Sequence, residues 1–298
     1  MKILVVGSKG FIGSNVYDYL KSNNDYVYAC DVVNDYVDEN YYQIDATNAN
    51  YHSIFEKNEI KICINCSGAA SVPLSIENPL RDYTLNTLNV YRLLDAIRAF
   101  QPLCKFINLS SAAVYGNPIA LPIKESFAYN PVSPYGFHKM QAEMICKQFN
   151  YLHGIKTCSL RIFSAYGEGL KKQLFWDLFQ KFQKNEKVEL FGTGNETRDF
   201  IYISDIIQVI SCVINQCNFD GNVINVANGE ELSIDLIATI FKQELNSEKE
   251  IVFNNEIKEG DPLNWKADIS LLSEIGYSKN VSIKEGIKNY ILWAKNNL

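Results

Sequence analysis

In "SPYGFHK", Tyr135 and Lys139 stand four positions apart behind Ser133 and Pro134, a natural N-cap and first helical position. On a helix the two side chains share a face one turn apart and can point to one place. A phenol titrates near about 10 and is a poor base at neutral pH. A lysine ammonium beside it, and a positive charge on a bound group, would both favour the phenolate, so the pair could move a hydroxyl proton. Taken alone, two such residues are more simply neighbours on a solvated helix face.

A second stretch changes that balance. In "VVGSKGFIGSNV", Gly7, Gly10 and Gly13 follow an apolar strand-like run and open a helical one. Missing side chains there let the backbone approach a pyrophosphate at a helix N-terminus, with Phe11 and Ile12 in the same turn. Asp31 ends the next strand-like run, at the distance where a carboxylate binds adenosine ribose hydroxyls and repels a 2'-phosphate. NAD is therefore expected rather than NADP, although Lys9 inside the loop could attract an extra phosphate. Asp45 and Ala46 in "QIDATN" could reach the adenine edge, or Asp45 could be an ordinary turn carboxylate.

Such groups need a scaffold. Apolar runs at 2–7, 26–31, 61–67, 105–111 and 156–164 alternate with helical patterns, clearest at 81–100, where Leu85, Leu88, Leu93 and Ile97 form one face. That alternation predicts an α/β chain with a doubly wound, Rossmann-like parallel sheet. A helix near 204–217 and a strand at 222–227 are expected to return to it. The expected division is a dinucleotide-binding domain over 1–165, rejoined at about 204–227, and a smaller α/β substrate-binding lobe over 166–298.

The 298 residues, 47% hydrophobic and 21% charged with a net charge of -6, suit a globular protein with a sizeable core. Scattered lysines and arginines argue against a nucleic-acid-binding face, and no apolar run is long enough to span a bilayer. The apolar N-terminal run is also too short for a signal peptide, so a cytoplasmic protein is expected. Cys63, Cys66, Cys104 and Cys158 sit in strand-like runs and read as buried reduced thiols. Cys63 and Cys66 lack a second pair or a histidine cluster, so no metal site is expected.

The ordered motifs "GSKGFIG", "CINCSGAASV", "ENPLRDYTLNT", "LSSAAVYG", "SPYGFHK", "RIFSAYGEG", "FGTGNETRDFIYISD" and "EGDPLNWKADIS" cover nearly the whole chain. With them it resembles the extended short-chain dehydrogenases/reductases, specifically the NAD-dependent nucleotide-sugar epimerases and dehydratases. The nearest motif pattern is that of the UDP-glucose/galactose 4-epimerase-like enzymes. The resemblance implies Ser111, Tyr135 and Lys139 as catalytic residues, with Lys139 binding the nicotinamide ribose and lowering the tyrosine pKa. It implies Ser67, Gly68 and Asn86 against the cofactor. Substrate contacts are implied at Ser111, Ser164, Arg198, Lys258 and Asp261, and pairing of helices 81–100 and 134–151 into a homodimer.

Departures sort the chemistry. Ala112 and Ala113 stand where sugar dehydratases and decarboxylases of the family carry acidic residues. Methyl groups supply no acid or base for elimination, so redox chemistry alone is expected. Ser164 replaces the family's asparagine, and Lys258 stands where a second arginine would grip the diphosphate. The expected function is a nucleotide-sugar 4-epimerase acting on a nucleotide-diphosphate sugar through a transient 4-keto sugar. An NAD(P)H-dependent 4-keto-sugar reductase, or a silent NAD-binding regulator on the same fold, are the alternatives.

Overall fold

Each short apolar run is a strand whose alternate residues feed different cores. The computed structural model describes residues 1–23, 25–256 and 262–297. The central strands are β1 (Lys2–Val6), β2 (Tyr26–Asp31), β3 (Tyr41–Gln43), β4 (Ile62–Asn65), β5 (Lys105–Ser111), β6 (Thr157–Ile162) and the returning strand Asp220–Val226. They form a seven-stranded sheet in the order Asp220–Val226, β6, β5, β4, β1, β2, β3, with every neighbouring pair parallel. Ile3, Val5, Ile62, Ile64, Ile107 and Leu109 face one core, beneath α1 (Phe11–Ser22) and the helix Ile203–Gln216. Leu4, Val6, Cys63 and Phe106 face the other, beneath α2 (His52–Lys57), α5 (Asn89–Phe100) and α6 (Pro134–His153). Burial on both faces explains why these strands read as continuous apolar runs.

The strand order reverses between β1 and β4. A parallel sheet opens a crevice at that point, beyond the carboxyl ends of its strands. The glycine turn after β1 and the Ser67 turn after β4 therefore meet there.

The expected single helix over 81–100 is broken. Two short helices, α3 (Val72–Glu77) and α4 (Pro79–Tyr83), precede a wide turn at Thr84–Leu88, and only then does α5 run on. The widened turn brings Asn86 and Thr87 inward, where both are buried; such π-type turns are frequent at functional sites. The expected run at 156–164 also divides, into β6 and a short strand Ser164–Tyr166 that pairs with Phe200–Tyr202 outside the main sheet. Cys66 and Cys104 lie just beyond strand ends, and all eight cysteines are free. Among the described residues no helix is long and apolar enough to cross a membrane.

A separate core holds the remaining segments together. Phe175, Phe179, Phe200, Phe241, Tyr166 and Tyr290 pack within it, with Tyr166 and Phe175 stacked at 4.3 Å between ring centroids.

One ion pair ties α6 to the sheet. Arg161 on β6 is 1% exposed, and its Nη2 lies 2.7 Å from Oε2 of the fully buried Glu143 on α6. Arg161 Nη1 donates to the Tyr115 hydroxyl at 2.6 Å, and that hydroxyl donates to Asn225 Oδ1 at 2.7 Å. Glu143 also accepts from Ser110 and Tyr129. Removing one member strands a buried charge, which typically costs about 3–5 kcal/mol. Glu143→Ala is expected to lose stability of that order in a urea titration, while Glu143→Gln, which keeps the hydrogen-bonding shape, loses less.

Candidate active site

The sequence around Gly7 makes a helix start bare of side-chain capping. Gly7 adopts φ +80°, and a Cβ there would lie 2.7 Å from Ser67 N. At Gly13 a Cβ would lie 2.0 Å from Gly7 O, so only glycine lets α1 pack this close to the turn. Gly10 is the N-cap and offers no side-chain hydrogen bond, so the first N–H groups of α1, those of Phe11 and Ile12 included, keep an anion-binding geometry.

Asp31, at the end of β2, accepts from Lys9 N at 2.8 Å and Val32 N at 2.6 Å. The Lys9 ammonium pairs with the half-buried Asp35, holding that carboxyl down at about 2. The cation that could have attracted a 2'-phosphate is thus engaged by an acid, which fits NAD. Asp45 is exposed and closes its own turn by accepting from Thr47 N and Oγ1 at 2.9 and 2.7 Å. The Ala46 carbonyl accepts from Asn89 at 2.7 Å. These contacts are those of a turn, at the rim beyond β3.

Across the crevice, Ser67 donates its N and Oγ to Asn65 Oδ1, the latter at 2.6 Å, which fixes the turn after β4. Asn86 Nδ2 donates to Ala69 O at 3.1 Å and to Asp82 Oδ1 at 3.0 Å, orienting the amide toward Gly68. Asn86 Oδ1 and Ser8 Oγ are buried and make no hydrogen bond among the described residues. Buried polar atoms are rarely left so, and both border the crevice a dinucleotide would fill. The residues present fit that group.

Ser133 caps α6 by accepting from Gly136 N at 3.2 Å, with Pro134 next, as the spacing predicts. Gly136 would place a Cβ 2.6 Å from Ala113 O. Its bareness lets the first turn of α6 touch the Ser111 turn, which Ser111 caps by accepting from Ala113 N at 3.2 Å. The Ser111 hydroxyl lies beside the Tyr135 phenol, close enough to draw its pKa down. Lys139 Nζ donates to Leu109 O at 2.9 Å and lies 5.9 Å from the centre of the Tyr135 ring. Serine, phenol and ammonium thus converge at the ends of β5 and α6.

Electrostatics at this point run against a simple expectation. Burial pushes the Tyr135 phenol up to about 12, opposed by the Ser111 hydroxyl and reinforced by the Asp82 carboxylate. Burial also pushes Lys139 down to about 8, opposed by Asp82 and Glu143. In the protein alone, Lys139 does not bring the phenol below its ordinary value. Its ammonium is aimed at the Leu109 carbonyl.

The substrate positions are only partly gathered. Ser164 begins the short strand after Phe163 and is half-buried. Arg198 donates to Thr197 O and Leu263 O, and its guanidinium lies 5.8 Å from the Trp265 ring centre. Lys258 and Asp261 lie outside the described residues. Sequence reasoning missed Asp82, His138 and Gly136; only the helical step of four from Asp82 to Asn86 hinted at the first.

The model of the NAD dependent epimerase/dehydratase family matches residues 3–227. A Methanocaldococcus jannaschii protein, provisionally named a UDP-glucose 4-epimerase, is 31% identical over 99% of both chains. The UDP-glucuronic acid 4-epimerase of Bacillus cereus, solved with UDP-glucuronic acid and NAD, is 27% identical, with a TM-score of 0.91 and all of both chains covered. The UDP-N-acetylglucosamine 4-epimerase of Methanobrevibacter ruminantium, solved with UDP-N-acetylmuramic acid, is also 27% identical, with a TM-score of 0.90 over 100% of this chain and 99% of its own. With the parallel sheet and the crevice between Gly7, Asn86 and Tyr135 already in view, the chain belongs to the NAD dependent epimerase/dehydratase family.

Proposed function

We propose that this protein is an NAD-dependent nucleotide-sugar 4-epimerase, with Ser111, Tyr135 and Lys139 as its catalytic residues. The observation that carries the reading is the convergence of Ser111, Tyr135 and Lys139 at one point, next to Ala112 and Ala113, which bring no second acid or base. Solved relatives that bind UDP-sugars support a nucleotide-diphosphate sugar as substrate.

Tyr135, as phenolate, takes the proton from the sugar's carbon-4 hydroxyl while Ser111 hydrogen-bonds the same oxygen. When bound, NAD would supply the hydride acceptor for carbon 4 and the donor for its return. The carbonyl formed at carbon 4 stays within reach of Tyr135, which gives its proton back after the sugar has turned its opposite face. Lys139, charged, would hold the ribose and favour the phenolate once the cofactor is bound. Arg198, Ser164, Lys258 and Asp261 are the proposed grip on the nucleotide diphosphate and sugar; Arg198 suits the diphosphate because its guanidinium offers a planar fork. Gly7, Gly10, Phe11, Ile12, Gly13, Asp31, Asp45, Ala46, Ser67, Gly68 and Asn86 are the proposed cofactor contacts.

A cytoplasmic homodimer completes the proposal. On α6, Phe137, Met144 and Tyr151 recur every seven residues and are 47%, 54% and 87% exposed. Leu80 on α4 and Tyr91 on α5 are exposed as well. A regular apolar stripe of this kind suits helix pairing with a second copy.

Protein denatured after purification is expected to release NAD, and the native protein to interconvert 4-epimers of UDP-hexoses or UDP-hexuronic acids with no cofactor added. An empty site, with turnover of 4-keto sugars only when NADPH is supplied, would install the reductase instead. Tyr135→Phe is expected to lose about 10²–10⁴ in kcat with NAD retained. Because Lys139 loses its charge as pH rises through about 8, kcat/KM should fall above that pH. Sedimentation should show twice the 33.9 kDa chain mass, and Met144→Glu should shift it toward the single chain.

A further inference from the structure

We propose that the buried Asp82–His138 pair is a positioning element for Lys139 and Asn86, with Asp82 as a carboxylate that orients Asn86 and acts on Lys139, and His138 as the partner that limits Asp82. The inference rests on the reading of Tyr135 and Lys139 given above. Asp82 on α4 is 3% exposed. Its Oδ2 lies 2.6 Å from His138 Nδ1 on α6, and its Oδ1 accepts from Asn86 Nδ2 at 3.0 Å. One carboxylate therefore bridges the helix that carries Tyr135 and Lys139 to the wide turn that carries Asn86.

The bridge reaches the reacting groups. A Cβ built on Gly68 would lie 2.4 Å from Asn86 Oδ1 and 3.5 Å from Lys139 Nζ, so the amide and the ammonium flank the same glycine. The charged and titratable groups facing Lys139 are Asp82 from α4, Cys66 after β4, and Tyr135, Glu143 and Cys146 from α6 itself. Glu143 is held by Arg161, whose charge is permanent, whereas Asp82 is held by His138. Facing His138 are Asp82 and, edge-on at 5.5 Å, the Tyr83 ring, both from α4. Thr87 also donates its hydroxyl to the His138 carbonyl at 2.9 Å, fixing that turn of α6.

The signs follow from charge. The Asp82 carboxylate favours the ammonium of Lys139 and disfavours the phenolate of Tyr135. His138 opposes both effects to the extent that it shares a proton with the Asp82 carboxylate. Asp82 thus restores to Lys139 part of the charge that burial removes, and His138 limits how far that same carboxylate holds the phenol neutral.

The test follows Lys139 directly. In purified protein labelled at lysine 13Cε, the Lys139 resonance is assigned by its loss in Lys139→Met and titrated by NMR. Asp82→Asn keeps the hydrogen-bonding shape without the charge, and should lower the Lys139 midpoint by about one pH unit, the usual scale for one nearby charge. His138→Gln should raise it. In the sugar assay the alkaline limb of kcat/KM should move the same way in each variant, with KM little changed. A Lys139 midpoint that stays in place in either variant, or that moves in one direction in both, would overturn the proposal, because a merely structural bridge predicts no opposed shifts. The titration needs no turnover. Should the wild-type protein interconvert no sugar, the 4-epimerase reading falls while the NMR result still decides the role of Asp82.

Discussion

The arrangement of the site depends on one buried ion pair. Tyr135, Lys139 and Glu143 follow at steps of four along α6, so the residue that anchors the helix lies on the stripe that carries the reacting groups. Arg161 on β6 grips that anchor, and Ser110, beside Ser111 on β5, bonds to it as well. A buried charge pair of this kind adds little net stability compared with apolar packing. Its directional bonds do what packing does less well: they set the height and rotation of α6 over the ends of β5 and β6. The Ser111–Tyr135 contact, the Gly136 approach to Ala113 and the reach of Lys139 to Leu109 all follow from that placement.

Burial then sets the electrostatic problem of the site. A phenol and an ammonium withdrawn from water both drift toward neutrality, the one upward and the other downward. Neither corrects the other while Lys139 is turned to a carbonyl. A cationic ring entering the crevice would favour the phenolate in a low-dielectric setting, where one charge acts more strongly than in water. Reactivity would then be tied to occupancy, which suits chemistry in which a transient ketone must not meet solvent.

A mixed aromatic cluster joins the segments outside the main sheet to it. Ala112, Tyr115, Phe163, Trp265 and Ala267 pack together, and the Trp265 indole donates to Gly116 O at 3.1 Å. Asp199 accepts from Asn228 N and Ala267 N at 2.9 and 3.0 Å, which pins those segments beside Arg198. The turn that carries Ser111 and the segment that carries Arg198 therefore share one rigid support.

Much of this was legible in the residues alone. Apolar runs of strand length, separated by amphipathic helices, dictate a sheet covered on both faces, and the glycine turn after β1 follows from backbone sterics that only glycine relieves. Tyr135 and Lys139 were readable as a pair because helical spacing is a local property, and Ser133–Pro134 starts that helix from local capping chemistry. What lay beyond the sequence depends on contacts between distant segments. The wide turn that brings Asn86 inward interrupts a pattern with unbroken helical periodicity. Asp82 and His138 are 56 positions apart and meet only because α4 packs on α6. The pKa directions at Tyr135 and Lys139 were equally hidden, because they come from burial, and burial is decided by the whole fold.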